Sequence, residues 1–333
     1  MRRRRLADTI ALVGGETMLG REIREVLGES ALGAQVRLVA EGVEAAGTLT
    51  EIDGAAAFLE RFDPEEIQDA AAILLAGSPE TWSKTASGNT SGVIVDLTYA
   101  AEDTPGARVR APLVEHDGHE PDLTGPQVIA HPAAIAITLL LGRLERAHPI
   151  ARSVIHVFAP ASERGTPGVD ELQQQTVALL SLKQMPKKVF DAQLTFNMLA
   201  QLGEGAAHPL IETEERIERH LATLLDHADA PPMPSLRLVQ APVFHGYSFS
   251  LWVEFEDAPT AAEVEDAVAG EPIDLRSESE EPPTNAGVAG QSGITVGVIA
   301  PDRNQANAMW IWMVADNLRL VAENAVMVLK EIL

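Results

Sequence analysis

The sequence predicts an α/β protein with two domains, one built on a doubly wound parallel sheet and one of the α+β class. An apolar run at Ile10–Val13 ends in glycines and passes into an amphipathic segment. Four further short apolar runs then alternate with helical segments to about Arg146. Beyond that point the strands alternate apolar and polar residues, as Ser153–Phe158 does. The first pattern indicates a parallel sheet, and the second is typical of a largely antiparallel one.

The glycine turn after the first strand is a candidate nucleotide-binding feature. The spacing from Gly14 to Gly20 suits a Rossmann-type site, where glycine lets the backbone approach a pyrophosphate at a helix N-terminus. Thr17 occupies the place of the middle glycine, and Glu16 adds negative charge beside the expected phosphate. Two interpretations stay open: weak nucleotide binding, or glycines that only permit close strand–helix packing.

A second predicted strand, Gln35–Ala40, ends beside Glu41 and Glu44. In a dinucleotide fold this strand end meets the adenosine ribose, where a carboxylate accepts a hydrogen bond from the 2′-hydroxyl and repels a 2′-phosphate. The sequence therefore favours NAD over NADP as the nucleotide. The alternative is that both acids are ordinary loop residues.

The remaining elements follow the same patterns. In the first half, strands are predicted at 71–77, 92–98 and 127–130, with helices at 79–87 and from 131 to about 146. In the second half, strands are predicted at 153–158, 236–243, 247–255 and 292–300, with helices at 168–181, 206–227 and 261–269 and a last helix ending at Leu333.

Composition excludes several classes of function. The 333 residues carry 49 acidic and 25 basic side chains, a net charge of −24, which disfavours nucleic acid and anionic membranes as partners. There is no cysteine, so disulfides, thiolate metal sites and cysteine nucleophiles are excluded. No apolar run reaches the length of about 18 residues that a membrane span needs. Arg2–Arg5 is interpreted as a solvated tail rather than the start of a signal peptide, and the expected location is cytoplasmic.

The histidines give no metal signature. His116 and His119 form the one close pair, and a solvated loop explains them better than a metal site. A serine hydrolase would need a G-x-S-x-G elbow, which does not occur. We therefore expect no metal.

Several short stretches, in order and at consistent spacing, carry a resemblance to a known family. They are Gly168–Leu172, Phe196-Asn197, Ala241–Gly246, Ala315–Arg319 and Asn324–Val326. With these, the chain resembles the aspartate-semialdehyde dehydrogenase family over nearly its full length, and in particular a non-catalytic, cysteine-lacking member of the USG-like kind.

The resemblance implies a Rossmann-type domain at 6–132 completed by 316–333. It also implies an α+β dimerisation domain at 133–315, like the glyceraldehyde-3-phosphate dehydrogenase C-terminal domain, whose sheet builds a homodimer. The cofactor positions suggested by the turn and the resemblance together are Gly14, Thr17, Met18, Leu19, Gly20, Glu41, Gly77 and Asn317.

The family's reaction, as the resemblance implies it, is the reductive dephosphorylation of an acyl phosphate through a cysteine thioester. Here Ala134 stands at the cysteine position and Tyr247 at that of the catalytic histidine. Gln240 replaces the arginine that grips the substrate carboxylate, and Glu102 replaces the phosphate-gripping arginine. A methyl group cannot be acylated, and a phenol with a pKa near ~10 is a poor general base.

The sequence thus predicts a homodimer that does not catalyse the family reaction and binds NAD weakly or not at all. Sensing or partnership with another protein would be its role. The alternative is an active NAD-dependent oxidoreductase that acts on an aldehyde or oxo substrate without a thioester, with Tyr247 or His245 as the acid. A third hypothesis is a pure subunit scaffold. His131 and His245 flank the altered positions, so both are further candidates for a chemical role.

Overall fold

A computed structural model describes residues 9–30, 32–52, 54–88, 90–116 and 121–333. The chain divides into two compact units, which we call the N-terminal unit (Met1–Ala130 and Val321–Leu333) and the central unit (His131–Leu320). The predicted solvated tail at Arg2–Arg5 lies outside the described residues, as does His119.

The N-terminal unit contains nine strands and three helices among its described residues. Its strands are β1 (Thr9–Val13), β2 (Gln35–Ala40), β3 (Leu49–Ile52), β4 (Ala55–Phe58), β5 (Glu60–Arg61), β6 (Ala72–Leu75), β7 (Val93–Asp96), β8 (Arg108–Arg110) and β9 (Gln127–Ile129). Its helices are α1 (Met18–Glu29), α2 (Pro64–Ile67) and α3 (Glu80–Ala86).

Seven of these strands form one sheet in the order β5-β2-β1-β6-β7-β9-β8, and every neighbouring pair is parallel. All residues of β1 and β6 are buried, as continuous apolar runs predict for strands covered on both faces. The core beneath the sheet includes Leu12, Leu74, Val326 and Leu329, each at most 2% exposed. The predicted parallel, Rossmann-like sheet is confirmed.

The hairpin of β3 and β4 has no counterpart in the sequence prediction. Its residues are exposed or half-exposed, so they lack the apolar pattern by which buried strands are recognised. Gly54, with φ of +72°, supplies a left-handed conformation in its turn. The sequence analysis also missed the short strands β5 and β8, because two or three residues are too few to show the periodicity by which a strand is recognised.

The central unit contains a second sheet with helices around it. Its helices are α4 (Pro132–Ala147), α5 (Gly165–Leu180), α6 (Leu210–Leu224) and α7 (Ala261–Val268), with a 3-10 turn η1 (Ala161–Arg164). Its strands are β10 (Ile150–Ala159), β11 (Ser235–Gln240), β12 (Tyr247–Phe255), β13 (Ile273–Leu275), β14 (Ile294–Pro301) and β15 (Ala308–Ala315). Helix α8 (Asn317–Ile332) follows, and its residues from Val321 onward belong to the N-terminal unit.

This six-stranded sheet has the order β11-β10-β12-β15-β14-β13. The three central pairings are antiparallel, while β10–β11 and β13–β14 are parallel. The sheet is therefore mixed, with an antiparallel centre, which agrees with the predicted class. Side chains such as Phe249 and Leu251 point into the core, whereas Val154 and Trp310 on the opposite face are about 40% exposed. One face of the sheet thus packs inward and the other is open.

The stretch Gly168–Leu172, which carried part of the resemblance, has a structural role. A Cβ at Gly168 would lie 2.3 Å from the Ala161 carbonyl oxygen, so only glycine fits. The buried Glu171 carboxylate accepts hydrogen bonds from the N–H groups of Val189 (2.7 Å) and Phe190 (3.2 Å). This motif therefore fixes the loop after α5.

Among the described residues, no helix is both long and apolar enough to cross a membrane.

Candidate functional site

The site where the family nucleophile is expected lies at the start of α4. His131 caps this helix: its Nδ1 accepts a hydrogen bond from the Ala133 N–H at 3.2 Å, and Pro132 occupies the first helical position. Ala134 follows within the same first turn and is fully buried. Ala134, where the resemblance predicts the nucleophile, therefore has an inaccessible methyl group as its side chain.

The His131 ring joins two other buried groups. Its Nε2 lies 3.2 Å from a carboxylate oxygen of Glu163, which comes from η1, and 3.5 Å from the Tyr247 hydroxyl, at the start of β12. His131 and Tyr247 have no exposed surface, and the Glu163 side chain is 12% exposed. Three elements thus converge on one cluster, to which we refer as the His131–Glu163–Tyr247 cluster.

The hydrogen bonds give the two nitrogens of His131 different roles. Because Nδ1 accepts from a backbone N–H, Nε2 is the ring nitrogen that can donate to Glu163. Burial alone would raise the pKa of Glu163, but the His131 ring, nearby Arg164 and a hydrogen bond from Tyr247 together hold that pKa below its usual value. Glu163 is therefore an ionised acceptor that holds both the imidazole and the phenol.

A second histidine anchors the same helix start. The backbone N–H of His131 donates to Nδ1 of His220 at 2.8 Å, and His220, on α6, is 1% exposed. The N-terminus of α4 is thereby fixed to α6 as well as to η1. Sequence reasoning nominated His131 but missed Glu163 and His220, which are 32 and 89 residues away in the chain from the residue they bind.

Gln240, at the arginine position, lies at the same end of the sheet as Tyr247. Ala159 pairs with Gln240, and its neighbour Phe158 pairs with Ser248, so β10 runs between the two candidate residues. The buried Gln240 amide donates to the Ala159 carbonyl at 2.9 Å. Its Oε1 has no hydrogen-bond partner among the residues described here. Gln240 thus provides a neutral amide at the position where the resemblance predicts an arginine.

The strand that carries Tyr247 is positioned from two sides. The Gly246 N–H donates to Asn317 Oδ1 at 3.0 Å, and the Gly246 carbonyl accepts from Asn285 at 2.7 Å. Asn317 Oδ1 also accepts from the Ser162 hydroxyl at 3.2 Å. The predicted cofactor residue Asn317 thus uses its amide oxygen to tie the turn before Tyr247 to the turn that bears Glu163.

Glu102, which the resemblance aligns with a phosphate-gripping arginine, belongs to the N-terminal unit. It lies in the turn after β7, which the buried Asp96 organises by accepting the N–H groups of Thr98 and Ala101 at 2.8 Å. Burial raises the pKa of Asp96, with Glu102 adding to the effect.

The two arginines near this turn, Arg108 and Arg110, both form ion pairs with carboxylates. Arg110 is 2% exposed and pairs with Glu115 at 2.8 Å and with Glu331 at 2.7 Å. Burial would lower its pKa, yet these carboxylates raise it. Arg108 pairs with Asp122 at 3.0 Å. Both guanidinium groups therefore have carboxylate partners from this chain instead of a phosphate.

The glycine turn has the close approaches that a dinucleotide fold requires. A Cβ at Gly20 would lie 2.1 Å from the Gly14 carbonyl oxygen, and one at Gly14 would lie 2.6 Å from the Gly77 nitrogen. Thr17 caps α1 by accepting the Gly20 N–H at 2.9 Å and lies 2.9 Å from the Ala76 carbonyl. These contacts account for Gly14 and Gly20 by backbone packing alone, without reference to a nucleotide.

Two carboxylates occupy the strand ends beside this turn. Glu16 accepts the N–H of Glu41 at 2.7 Å, and Glu41 in turn accepts the N–H of Ser78 at 2.7 Å. The second oxygen of Glu16 is buried and has no hydrogen-bond partner among the described residues. The backbone turn therefore fits a dinucleotide, whereas the charge of Glu16 and Glu41 opposes its pyrophosphate.

The other histidine candidates do not join the cluster described above. His245 is half-buried in the turn before Gly246, and its Nδ1 has no partner within the described part of the chain. Residues 121–333 and the four described ranges before them hold no group of three metal-ligating side chains.

Comparison with known proteins places the central unit in a sequence family. A model of the "Semialdehyde dehydrogenase, dimerisation domain" matches residues 141–320. The aspartate-semialdehyde dehydrogenase of Rickettsia bellii is 29% identical over 221 residues, and the chain spans only 64% of that relative's length. The USG-1 protein homolog of Azotobacter vinelandii is 28% identical over 323 residues, which is 94% of both chains.

Solved structures share the fold. A probable aspartate-semialdehyde dehydrogenase from Pseudomonas aeruginosa matches 97% of both chains with a TM-score of 0.82 at 24% identity. The Candida albicans aspartate-semialdehyde dehydrogenase, solved with NADP, matches 98% of both chains with a TM-score of 0.66 at 12% identity. This likeness confirms the predicted combination of a Rossmann-like domain with a second α+β domain, whose sheet was predicted to be largely antiparallel and is mixed.

Proposed function

The chain belongs to the semialdehyde dehydrogenase family, and on that premise we propose that it is a non-catalytic member of the family. It lacks the covalent chemistry of acyl-phosphate reduction and acts as a dimeric protein, through sensing of a ligand or association with a partner. The proposal follows from the side chains at the four positions where the resemblance places nucleophile, base and anion-binding groups.

The His131–Glu163–Tyr247 cluster carries the proposal. Ala134 offers no nucleophile, and its neighbour His131 is committed to the helix cap through Nδ1 and to Glu163 through Nε2. The phenol of Tyr247 also hydrogen-bonds Glu163, whose negative charge opposes loss of the phenol proton. These contacts stabilise the fold and leave neither group as a general base.

Residual nucleotide binding is proposed for the turn from Gly14 to Gly20, with NAD preferred over NADP. Glu41 provides a carboxylate at the ribose end, which suits a 2′-hydroxyl and repels a 2′-phosphate. Because Glu16 adds a second negative charge and Glu41 is already bonded to Ser78, the expected affinity is low.

A homodimer is proposed from the dimerisation-domain match and the open face of the central sheet. Trp252 and Trp310 on this face both donate their indole N–H to Asp302 at 2.9 Å, and Val154 lies beside Trp252 across the β10–β12 ladder. An apolar sheet face with half-exposed tryptophans is typical of a subunit interface.

The test is a phosphate-dependent assay of NAD and NADP reduction with aspartate semialdehyde, run beside an active family enzyme. We expect no turnover. An Ala134→Cys variant should also fail to turn over, since the introduced thiol is buried and Tyr247 and Gln240 remain unsuited to the reaction. Turnover by the unsubstituted chain would refute the proposal.

The alternative, an NAD-dependent oxidoreductase that uses Tyr247 or His245 as an acid, predicts a functional nucleotide site. Calorimetric titration with NAD, NADH, NADP and NADPH distinguishes the two. Saturation at physiological concentrations, together with turnover of an aldehyde that Tyr247→Phe abolishes, would favour the alternative. The absence of binding would exclude both this enzyme and a redox sensor.

A further inference from the structure

Strands β3 and β4 form a two-stranded sheet of their own, the β3–β4 hairpin, in the N-terminal unit. Ile52 and Ala55 close its two-residue turn, and a closing pair of this kind exchanges backbone hydrogen bonds. The next pair, Glu51 and Ala56, therefore turns its N–H and C=O groups away from the partner strand. Among the described residues, no further strand pairs with the hairpin, so these groups form an unpaired edge.

One face of the hairpin is largely apolar and open to solvent. Leu49 and Phe58 lie opposite each other across the two strands and are 61% and 64% exposed. Ala56 lies on the same face, two residues before Phe58, and is exposed as well. An unpaired strand edge beside an exposed apolar face is the surface to which an extended chain adds as a further strand.

The other face of the hairpin is attached to the N-terminal unit. Ile52 packs against the apolar core of this unit. Arg24 on α1 donates to the Thr50 hydroxyl at 2.7 Å, so β3 is the strand anchored to the helix. We therefore take β4 as the outer edge of the hairpin.

The charge around the hairpin favours a basic occupant. Residues 41–60 contain five acidic residues and no basic one. Glu60 forms an ion pair with Arg37. Glu51 is exposed on the same face as Phe58 and forms no ion pair within the described ranges of the chain. A basic side chain placed opposite Ala56 would lie one strand away from the Glu51 carboxylate.

We infer that the edge of β4 binds an extended segment of a partner protein, basic and apolar in composition, which adds to the hairpin as a third strand. The backbone of Ala56 and Phe58 supplies the hydrogen bonds, and Phe58 and Leu49 supply the apolar contact. The inference rests on the proposed association with a partner and gives that partner a chemistry. The hairpin lies outside residues 141–320, so the dimerisation-domain match does not account for its exposed face.

A synthetic peptide tests the inference. The probe is fluorescein-labelled Thr-Val-Thr-Lys-Thr-Val-Thr, which as a strand presents valine and lysine on one face, and anisotropy measures its binding to the full chain. We expect saturable binding, about tenfold weaker when glutamate replaces the lysine, with that difference reduced in high salt. We expect no binding of a peptide N-methylated at alternate residues, because it cannot pair along the edge. No saturation by the lysine peptide would overturn the inference, as would equal binding of either comparison peptide.

Variants of the hairpin locate the binding. Ala56→Pro removes the outward N–H and leaves the pairing with β3 intact, so it should weaken peptide binding about tenfold. The matched control Ala56→Ser keeps the N–H and should bind as the unsubstituted chain does. The double variant Leu49→Ser and Phe58→Ser should also bind more weakly, since it removes the apolar contact. Thermal unfolding verifies that each variant is folded.

Peptide binding that neither Ala56→Pro nor the double variant weakens would overturn the assignment of the edge. Sedimentation gives a further outcome: species larger than a dimer, formed by the unsubstituted chain and lost in Ala56→Pro, would assign the edge to a second copy and overturn the partner. Turnover in the phosphate-dependent assay would refute the proposed function and leave the peptide result unaffected. The two failures are therefore distinguishable.

Discussion

The rings of His131 and Tyr247 meet edge to face, with centroids 5.6 Å apart and an interplanar angle of 73°. Each also hydrogen-bonds the Glu163 carboxylate. Tyr247→Phe keeps the ring contact and removes one donor from a mostly buried carboxylate. We expect the free energy of unfolding of the central unit to fall by about 1–3 kcal/mol. Urea unfolding followed by tryptophan fluorescence measures this, and an unchanged midpoint would mean that the phenol hydroxyl does not stabilise the fold.

Glu163 should give the central unit a distinct acid sensitivity. Its pKa is lowered on folding, so the stabilisation is complete above its unfolded pKa of about 4.3 and is lost as pH falls through the folded value. Glu163→Gln removes this contribution. The difference in unfolding free energy between the unsubstituted chain and the variant should be constant above about pH 5 and shrink below about pH 4.

The matched control for that measurement is Glu218→Gln, on the exposed side of α6. It should change stability by no more than about 0.5 kcal/mol. A difference for Glu163→Gln that stays constant down to pH 3 would contradict an ionised, stabilising carboxylate in the cluster.

Arg110 is buried and Arg108 is half-exposed, so substituting the two should lower the free energy of unfolding by different amounts. Arg110→Met leaves Glu115 and Glu331 without their buried guanidinium partner and should cost about 3–5 kcal/mol. Arg108→Met breaks an exposed pair with Asp122 and should cost about 1 kcal/mol or less. Hydrogen exchange in β8 and α8 measures both. Equal effects would contradict the ion-pair assignment.

The glycine turn can be tested for packing and nucleotide binding separately. Gly20→Ala brings a Cβ within 2.1 Å of the Gly14 carbonyl oxygen and should destabilise the N-terminal unit by about 1–3 kcal/mol. Gly42→Ala, whose Cβ would meet nothing within 4 Å, is the control and should be neutral. Thermal unfolding without nucleotide gives the comparison. A Gly20→Ala protein of normal stability would show that packing does not require this glycine.

The secondary structure could be predicted from the sequence wherever burial requires a regular pattern of apolar residues. β1 and β6 are apolar throughout because both faces of the sheet are covered, and they were predicted. The hairpin at Leu49–Phe58 is half-exposed and carries no such pattern, so it was missed. Gly168 and Glu171, which lie in one of the stretches that carry the resemblance, hold backbone in place in this structure.

Only part of the candidate site could be predicted from the sequence. Ala134 and Tyr247 could be nominated because neighbouring motifs fix their positions. Glu163 could not, since it lies in a short turn and its partners in the cluster, His131 and Tyr247, are 32 or more positions away in the chain. Local periodicity contains no information about such pairings. The arrangement of the His131–Glu163–Tyr247 cluster therefore emerges only from the folded chain.

The discontinuity of the N-terminal unit has a consequence for biosynthesis. Its core contains Val326 and Leu329, and its buried Arg110 pairs with Glu331, so the parallel sheet lacks part of its cover until the last residues are made. Ribosomes add about 5–20 residues per second, so residues 131–320 take about 10–40 s to synthesise. Throughout that interval the apolar side of the sheet lacks the cover that α8 gives it in the folded chain.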